Sequence, residues 1–250
     1  MAFTNDSKDL LFADVGFNLY IYNVTTATQK EKKNFKKHKG GYYSIAFSPD
    51  RTIVANGYTN KRIRLWDITS GTELLSIRTK FKEAIITLTF SPDGNRIAGA
   101  GKDGIIKIWD TKKGTLLSVL QGHSDRIESI AFSPNGKLIA SGSWDSTMRV
   151  WDIEKKTQIT RQHGYRGAVI EVLFSSDENI VVGTDTGNII QLWDLNNLSN
   201  SPGVVLRGHN GWIRSLEFSS DGKTLASGSD DGTILIWDWD KLTQMLHAKL

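Results

Sequence analysis

A tryptophan-aspartate pair recurs along this chain at nearly constant spacing: Trp66-Asp67, Trp109-Asp110, Trp151-Asp152, Trp193-Asp194 and Trp237-Asp238 stand 43, 42, 42 and 44 residues apart. Tyr22-Asn23 lies another 44 residues before the first. Nineteen positions ahead of each Trp or Tyr stands a phenylalanine that ends an apolar stretch and opens a turn: Phe3, Phe47, Phe90, Phe132, Phe174 and Phe218. A period of roughly 20 to 50 residues constrains a fold more than local propensity does. Each period is one supersecondary unit that cannot bury its faces alone and must stack on its neighbours.

The most regular period parses as strand IESIAF, turn SPNG, strand KLIASGS, turn WDS, strand TMRVWD, turn KK and strand TQITRQ. The outer strands alternate apolar and polar residues, while the inner ones run almost continuously apolar. That pattern is expected of a small sheet covered on both faces. Twenty-three glycines against four prolines fit many short strands joined by tight turns. The absence of cysteine excludes disulfides, thiolate metal sites and cysteine nucleophiles. The start MAFTNDSKDL has neither the basic residues nor the apolar run of a secretory signal, and no stretch approaches eighteen apolar residues. A cytoplasmic protein without membrane contact is the expectation.

The array resembles WD40 repeats, and the resemblance covers essentially the whole chain. It implies an all-β fold, a WD40 β-propeller with six four-stranded antiparallel blades arranged around a central channel and forming one domain over residues 1–250. The first blade is truncated at its innermost strand, and the closing KLTQMLHAKL is expected to supply the outer strand of the sixth. Three arrangements stay open on the sequence: a closed six-bladed ring, the tail of a longer propeller, or a ring completed by another chain or by self-association. The ending GSDDGTILIWDWDKL resembles the carboxyl-terminal end of large bacterial signalling proteins that carry WD40 arrays, which implies a bacterial assembly.

The resemblance also assigns a buried hydrogen-bond chain to each complete repeat. His123, Ser141, Asp145 and Trp151 form one set and His209, Ser227, Asp231 and Trp237 the other, with identical internal spacing. A Ser-His-Asp trio invites a hydrolase reading. Its occurrence twice in one chain, without a Gly-x-Ser-x-Gly elbow, favours a structural role. The Trp66 repeat keeps His38 but has Asn56 and Asn60 in place of Ser and Asp, and the Trp109 repeat has Phe81 and Gly99, so it must rely on apolar packing. In the Trp193 repeat His163 is displaced by two positions, the first turn looks short and Gln191 looks like an inserted residue. A bulge is expected there, and no family role is carried to Asp185 or Thr186.

Partners of the family sit on the rim that carries the His loops. Carried over by position, the partner-binding candidates are Tyr43, Arg126, Glu128, Trp144, Trp212, Arg214 and Asp230. Aromatic residues and arginine dominate binding hot spots, whereas an indole beside a loop glycine can equally well only pack on its neighbour. The reading is a non-catalytic scaffold or sensor with a protein partner, no metal and no cofactor. One alternative is an enzyme or small-ligand binder that uses the central channel through convergent charged residues. The lesser one is nucleic-acid binding through Lys30, Lys32, Lys33, Lys36, Lys37 and Lys39, set against the plainer reading of a solvated outer strand with protective lysines.

Overall fold

The computed structural model describes residues 2–3, 8–14, 18–34, 42–197 and 202–248. They form an all-β, six-bladed propeller fold of small antiparallel sheets with one short helix. The chain divides into two compact units, Met1–Gly99 with Lys107–Leu117 and Ala100–Ile106 with Ser118–Leu250.

The first unit opens with the sheet β1 (Ala2–Phe3), β2 (Asp9–Ala13), β3 (Asn18–Asn23) and β4 (Thr28–Asn34). The truncated first strand is a two-residue pairing of Ala2 and Phe3 with Leu11 and Leu10. The second sheet is β5 (Tyr42–Phe47), β6 (Ile53–Tyr58), β7 (Arg62–Asp67) and β8 (Glu73–Arg78). Leu11 and Leu19 of the first blade bury against Val54 and Trp66 of the second. The third sheet comprises β9 (Ile85–Phe90), β10 (Arg96–Gly101), β11 (Ile105–Asp110) and β12 (Leu116–Gln121).

In the second unit, one blade is β13 (Ile127–Phe132), β14 (Leu138–Ser143), β15 (Met148–Asp152) and β16 (Thr157–Gln162). The next is β17 (Val169–Phe174), β18 (Ile180–Asp185), β19 (Ile189–Asp194) and β20 (Val204–Arg207). The last has three strands, β21 (Ile213–Phe218), β22 (Thr224–Ser229) and β23 (Ile234–Asp238). Met148 and Val150 of one blade pack with Val172, Val181 and Trp193 of the next. Ile190 and Leu192 in turn pack with Leu216, Leu225 and Trp237. Each blade thus has an outgoing face of aliphatic residues and an incoming face that carries the motif indole. Burying one such aliphatic side chain is worth about 1.5–3 kcal/mol.

The same turn joins the first two strands of each blade from the second to the sixth. The residue four positions after the phenylalanine has a left-handed backbone, at Gly94, Gly136 and Gly222 and also at Arg51 and Glu178. A serine hydroxyl pins the turn by accepting from the backbone N–H five residues on, at Ser48, Ser91, Ser133, Ser175 and Ser219, over 2.9–3.0 Å.

Three expectations are corrected, one at the end of the chain and two in the Trp193 blade. The closing segment is not an outer strand but the helix α1 (Trp239–His247). The Asp238 carboxylate caps it by accepting from Lys241 N–H, and Trp239, Leu242 and Leu246 bury against the preceding blade. Trp239 therefore packs from a helix, edge-on to Phe218 at 4.7 Å. In the Trp193 blade the register from Ile180↔Asp194 to Thr184↔Ile190 is unbroken, so Gln191 is no insertion. Gln191 is buried and donates through Nε2 to the Gly164 carbonyl at 3.0 Å. The first turn there has the same length as its counterparts, with Phe174 facing Val181 as Phe132 faces Ile139.

The polar sets show how a blade satisfies its interior. Trp151 Nε1 donates to Ser141 Oγ at 2.9 Å, Ser141 Oγ lies 2.8 Å from His123 Nε2, and His123 Nδ1 lies 2.8 Å from Asp145. Because the Asp145 carboxylate can only accept, the proton of the neutral imidazole sits on Nδ1, which leaves Nε2 to accept the serine hydroxyl proton. Burial pushes the His123 pKa down against the pull of Asp145. Burial also pushes Asp145 up, but hydrogen bonds from His123 and Thr147 outweigh it and hold the carboxyl well below its ordinary value. The second set repeats this with Trp237 to Ser227 at 2.9 Å, Ser227 to His209 at 2.8 Å and His209 to Asp231 at 3.1 Å. Ser141 and Ser227 are buried and fully engaged, so neither is open to a substrate.

In the Trp193 blade the displaced His163 is not the relevant residue. Tyr165, 28 positions before Trp193 as His123 is before Trp151, accepts from the indole N–H at 3.0 Å. Its hydroxyl fills the space of the missing serine, since a Cβ on Gly183 would lie 2.3 Å from it. Asp185 is fully buried and accepts from the backbone N–H groups of Arg166 at 2.7 Å and Gly187 at 2.9 Å. In the Trp109 blade Phe81 meets the indole edge-on at 5.8 Å, and Lys107 lies 4.5 Å above the Phe81 ring, donating to the Thr79 and Lys80 carbonyls. His38 of the Trp66 repeat lies outside the described residues.

Replacing Gly183 by serine is expected to lower stability by about 2–3 kcal/mol, because the new side chain collides with the tyrosine hydroxyl. Adding Tyr165→His should recover most of that loss by rebuilding the set found at His123. Denaturant midpoints of the two variants check this; equal midpoints would show that the hydroxyl and the missing Cβ are unrelated.

Candidate partner-binding rim

The rim candidates occupy three equivalent positions per blade: six residues before the phenylalanine, four before it, and twelve after it. The middle position is an irregular one. In each first-to-second strand pairing of the blades at β5, β13, β17 and β21 the register skips one residue, between Tyr42 and Ser44, Ile127 and Ser129, Val169 and Glu171, and Ile213 and Ser215. The skipped residues are Tyr43, Glu128, Ile170 and Arg214. A bulge at a strand end re-aims a side chain, and here it places Glu128 and Arg214 in rim contacts with Trp144 and Asp230.

Two blades fill the three positions with the same chemical trio in permuted order. In the β13–β16 blade the trio is Arg126, Glu128 and Trp144. The Arg126 guanidinium stacks 3.9 Å over the Trp144 ring, the indole N–H donates to Glu128 at 2.9 Å, and Arg126 Nε lies 3.0 Å from the same carboxylate. That last approach is an ion pair too bent for a hydrogen bond. In the last blade the trio is Trp212, Arg214 and Asp230. The Arg214 guanidinium lies 4.6 Å over the Trp212 ring and donates twice to Asp230, at 2.9 and 2.7 Å. The Asp230 hydrogen bond raises the Arg214 pKa, with a smaller contribution from the Glu128 charge. Matching backbone bonds fix both turns, Trp144 N–H to the Arg126 carbonyl at 3.0 Å and Asp230 N–H to the Trp212 carbonyl at 2.9 Å.

Between them the β17–β20 blade carries small or apolar residues at the same positions: Ala168, Ile170 and Thr186. Trp144 and Trp212 meet across this low point, edge to face, with ring centroids 6.5 Å apart and planes at 77°. Both indoles stay 36% exposed despite that contact. The structure therefore joins six of the seven candidates in one patch. Tyr43 belongs to the first unit, and its side chain lies outside the described residues.

Position alone did not single out the recess beside the patch. It is a surface hollow of about 450 Å³ lined by Thr186, Asn188, Asn210, Gly211, Trp212, Arg214 and Asp230. The Asn188 side-chain oxygen is buried without a hydrogen-bond partner among the described residues. Gly211 permits the close backbone approach there, since a Cβ would sit 2.6 Å from the Asp231 nitrogen.

Glu171 stands where the other first strands carry Ser44, Thr87, Ser129 and Ser215. It accepts from Ser129 Oγ at 3.1 Å. Burial pushes its pKa up to about 7, the Ser129 bond opposes this, and the charges of Glu217 and Glu128 add to it. These carboxylates on neighbouring blades are the sort of cluster a catalytic channel would need. Glu128 is nonetheless engaged by Trp144 and Arg126 and Glu171 by Ser129, and among the described residues no three acidic or His side chains are placed to hold a metal.

The basic run has local partners where it is described. Lys30 pairs with Asp9 at 2.8 Å, Lys33 with Glu31 at 3.2 Å and with the Thr69 carbonyl, and Lys32 lies 5.3 Å over the Tyr20 ring. Lys36, Lys37 and Lys39 lie outside the described residues. Among the described residues no helix is long and apolar enough to cross a membrane.

Comparison with known proteins agrees with this architecture. The family model described as WD domain, G-beta repeat matches residues 29–67, 72–110, 114–152 and 200–238, and the chain belongs to that WD40 family. Tyr22 and Trp193 themselves fall outside the matched segments. A Dictyostelium discoideum protein named Protein LST8 homolog is 41% identical over 44 residues, 18% of this chain and 14% of that protein. The Saccharomyces cerevisiae guanine nucleotide-binding protein subunit beta is 44% identical over 43 residues, 17% and 10% of the two chains. The Arabidopsis thaliana protein Cell division cycle 20.1, cofactor of APC complex, is 28% identical over 72 residues, 29% and 16%. The chain thus matches 10% to 16% of these relatives' lengths, one or two blades of each.

Glu171 generates a pH prediction. Its folded pKa lies above its unfolded value, so the folded state binds the extra proton and gains stability as pH falls from about 7 toward about 4.5. Glu171→Gln should raise the melting midpoint at pH 8, by an amount worth about 1 kcal/mol after allowing for solvent screening, and bring little change at pH 5. Thermal melts at the two pH values check it, and a substitution effect independent of pH would refute it.

Proposed function

We propose that this chain is a non-catalytic protein-interaction module that holds a protein partner on the rim formed by Arg126, Glu128, Trp144, Trp212, Arg214 and Asp230. The observation that carries the reading is the edge-to-face contact of Trp144 and Trp212, each braced by its own arginine and carboxylate. Two exposed indoles held by this many contacts lose little side-chain freedom when a partner arrives, so their burial converts to affinity more fully than that of mobile side chains. Both arginines are already paired with carboxylates, so the patch offers an aromatic surface with nearly balanced charge. A partner that presents an apolar side chain suits it. The relatives' printed names, a G-protein subunit and a cofactor of a complex, favour the same class. A place in a bacterial signalling assembly and a cytoplasmic location belong to this proposal through the closing segment and the absence of cysteine.

Capture of proteins from a lysate of the source organism tests the assignment, with the recovered proteins quantified by mass spectrometry. Trp212→Ala with Arg214→Ala should weaken retention of a specific partner by about thirtyfold, as for a hot-spot pair, while leaving the melting midpoint near wild type. Undiminished recovery by the folded double variant rejects the rim. Saturable turnover of a small substrate by the purified chain, lost in Glu171→Gln, would replace this reading with a catalytic one.

A further inference from the structure

Three asparagines of this chain are followed by glycine: Asn56-Gly57, Asn135-Gly136 and Asn210-Gly211. In that dipeptide no side chain shields the second residue's nitrogen, so it can reach the side-chain carbonyl carbon of the asparagine. The sequence ranks the three alike, and the structure separates them. Asn56 is buried within β6, where Gly57 is paired with Ser44 on one side and Ile63 on the other. Asn135 lies in the first turn of the β13–β16 blade, its side-chain oxygen accepting from Ser133 Oγ at 2.9 Å and from Lys137 N–H at 2.7 Å. Its amide nitrogen donates to Glu178, and the Gly136 N–H donates to the Ser133 carbonyl at 2.8 Å. Both reacting groups are thus held.

Asn210 differs on each count. It is exposed and lines the recess beside Trp212. Among the described residues neither its side chain nor the Gly211 N–H makes a hydrogen bond. The Asn210 backbone N–H donates to Asp231 at 2.7 Å, as that of Ser124 does to Asp145 at 3.2 Å. Two residues on, the Trp212 carbonyl accepts from Asp230 N–H at 2.9 Å. The loop is therefore fixed on both sides of a reactive pair that is itself unengaged.

We infer that Asn210 is a modification site, at which the folded chain loses ammonia and gains a carboxylate within the rim. The Gly211 nitrogen bonds to the Asn210 side-chain carbonyl carbon, its proton leaves with the departing amino group as ammonia, and a succinimide ring closes. Water then opens that ring, at one carbonyl to give aspartate and at the other to give isoaspartate. One ammonia leaves and one water enters, so the step needs no oxidant and no second reagent. The new charge joins those of Asp230 and Asp231, which Arg214 and Thr233 respectively hold below the ordinary carboxylate range. A recess that balances Arg214 against Asp230 becomes acidic, and isoaspartate also lengthens by one carbon the loop that positions Trp212. The conversion itself does not rest on the rim's proposed role.

Peptide mass spectrometry after timed incubation of the folded chain in mildly alkaline buffer tests it, with the same chain in guanidinium chloride as the reference. In denaturant all three asparagines should convert at similar rates. In the folded chain Asn210 should convert near its denatured rate, Asn135 about tenfold more slowly because its turn must open first, and Asn56 not at all over the same period. Position 210 should carry both aspartate and isoaspartate. Aspartate with no isoaspartate would mean direct hydrolysis and overturn the role given to the Gly211 nitrogen. Conversion in the folded chain that is no faster at Asn210 than at Asn135, or an Asn210 amide that survives folding while the unfolded reference loses it, overturns the inference as a whole.

Discussion

Face-to-face burial between successive blades is the constraint from which the other features follow. A four-stranded sheet of about six residues per strand has too little interior of its own, so its aliphatic face must find the indole-bearing face of the next blade. That requirement fixes the alternation of Met148 and Val150 on one side with Ile139 and Trp151 on the other. It also sets the cost of placing an indole N–H in an apolar seam, where the group needs an acceptor. Ser141 and Ser227 supply the acceptor through the histidine chain, and Tyr165 supplies it through its own hydroxyl. The Trp109 blade keeps its seam with an aromatic ring and a lysine stem instead.

The period, the six blades and the positions of the turns were legible because their spacing recurs, and spacing survives changes of residue type. Two details escaped because type was weighed above spacing. Tyr165 stands at the interval that His123 and His209 keep from their tryptophans, and Gly183 beside it marks the room its hydroxyl needs, while the nearby His163 shares the residue type but not the interval. The closing segment follows the outer strand's place in the repeat, but Trp239, Leu242 and Leu246 lie at helical intervals behind an Asp238 cap. The meeting of Trp144 with Trp212 could not be read from position, since it depends on the small side chains of an intervening blade and on the angle at which that blade sits between its neighbours.

The rim shows how a repeated backbone can carry unlike surfaces. The register skip at Glu128 and Arg214 recurs at Ile170 and at position 43 of the backbone, so it belongs to the scaffold while the chemistry belongs to the residue placed on it. Arginine, carboxylate and indole occupy the three sites in one order at Arg126, Glu128 and Trp144 and in another at Trp212, Arg214 and Asp230. Both orders reach the same end, an indole with a guanidinium over its ring. Their interchange is tolerated because the three sites converge on one small area of surface.

Two indoles crossed at 77° with centres 6.5 Å apart are close enough for their ultraviolet transitions to mix. Such a pair produces a signed doublet in circular dichroism that neither ring gives by itself, and separating the rings or filling the gap between them erases it. The rim therefore reports on its own occupancy in the spectrum of the unlabelled chain.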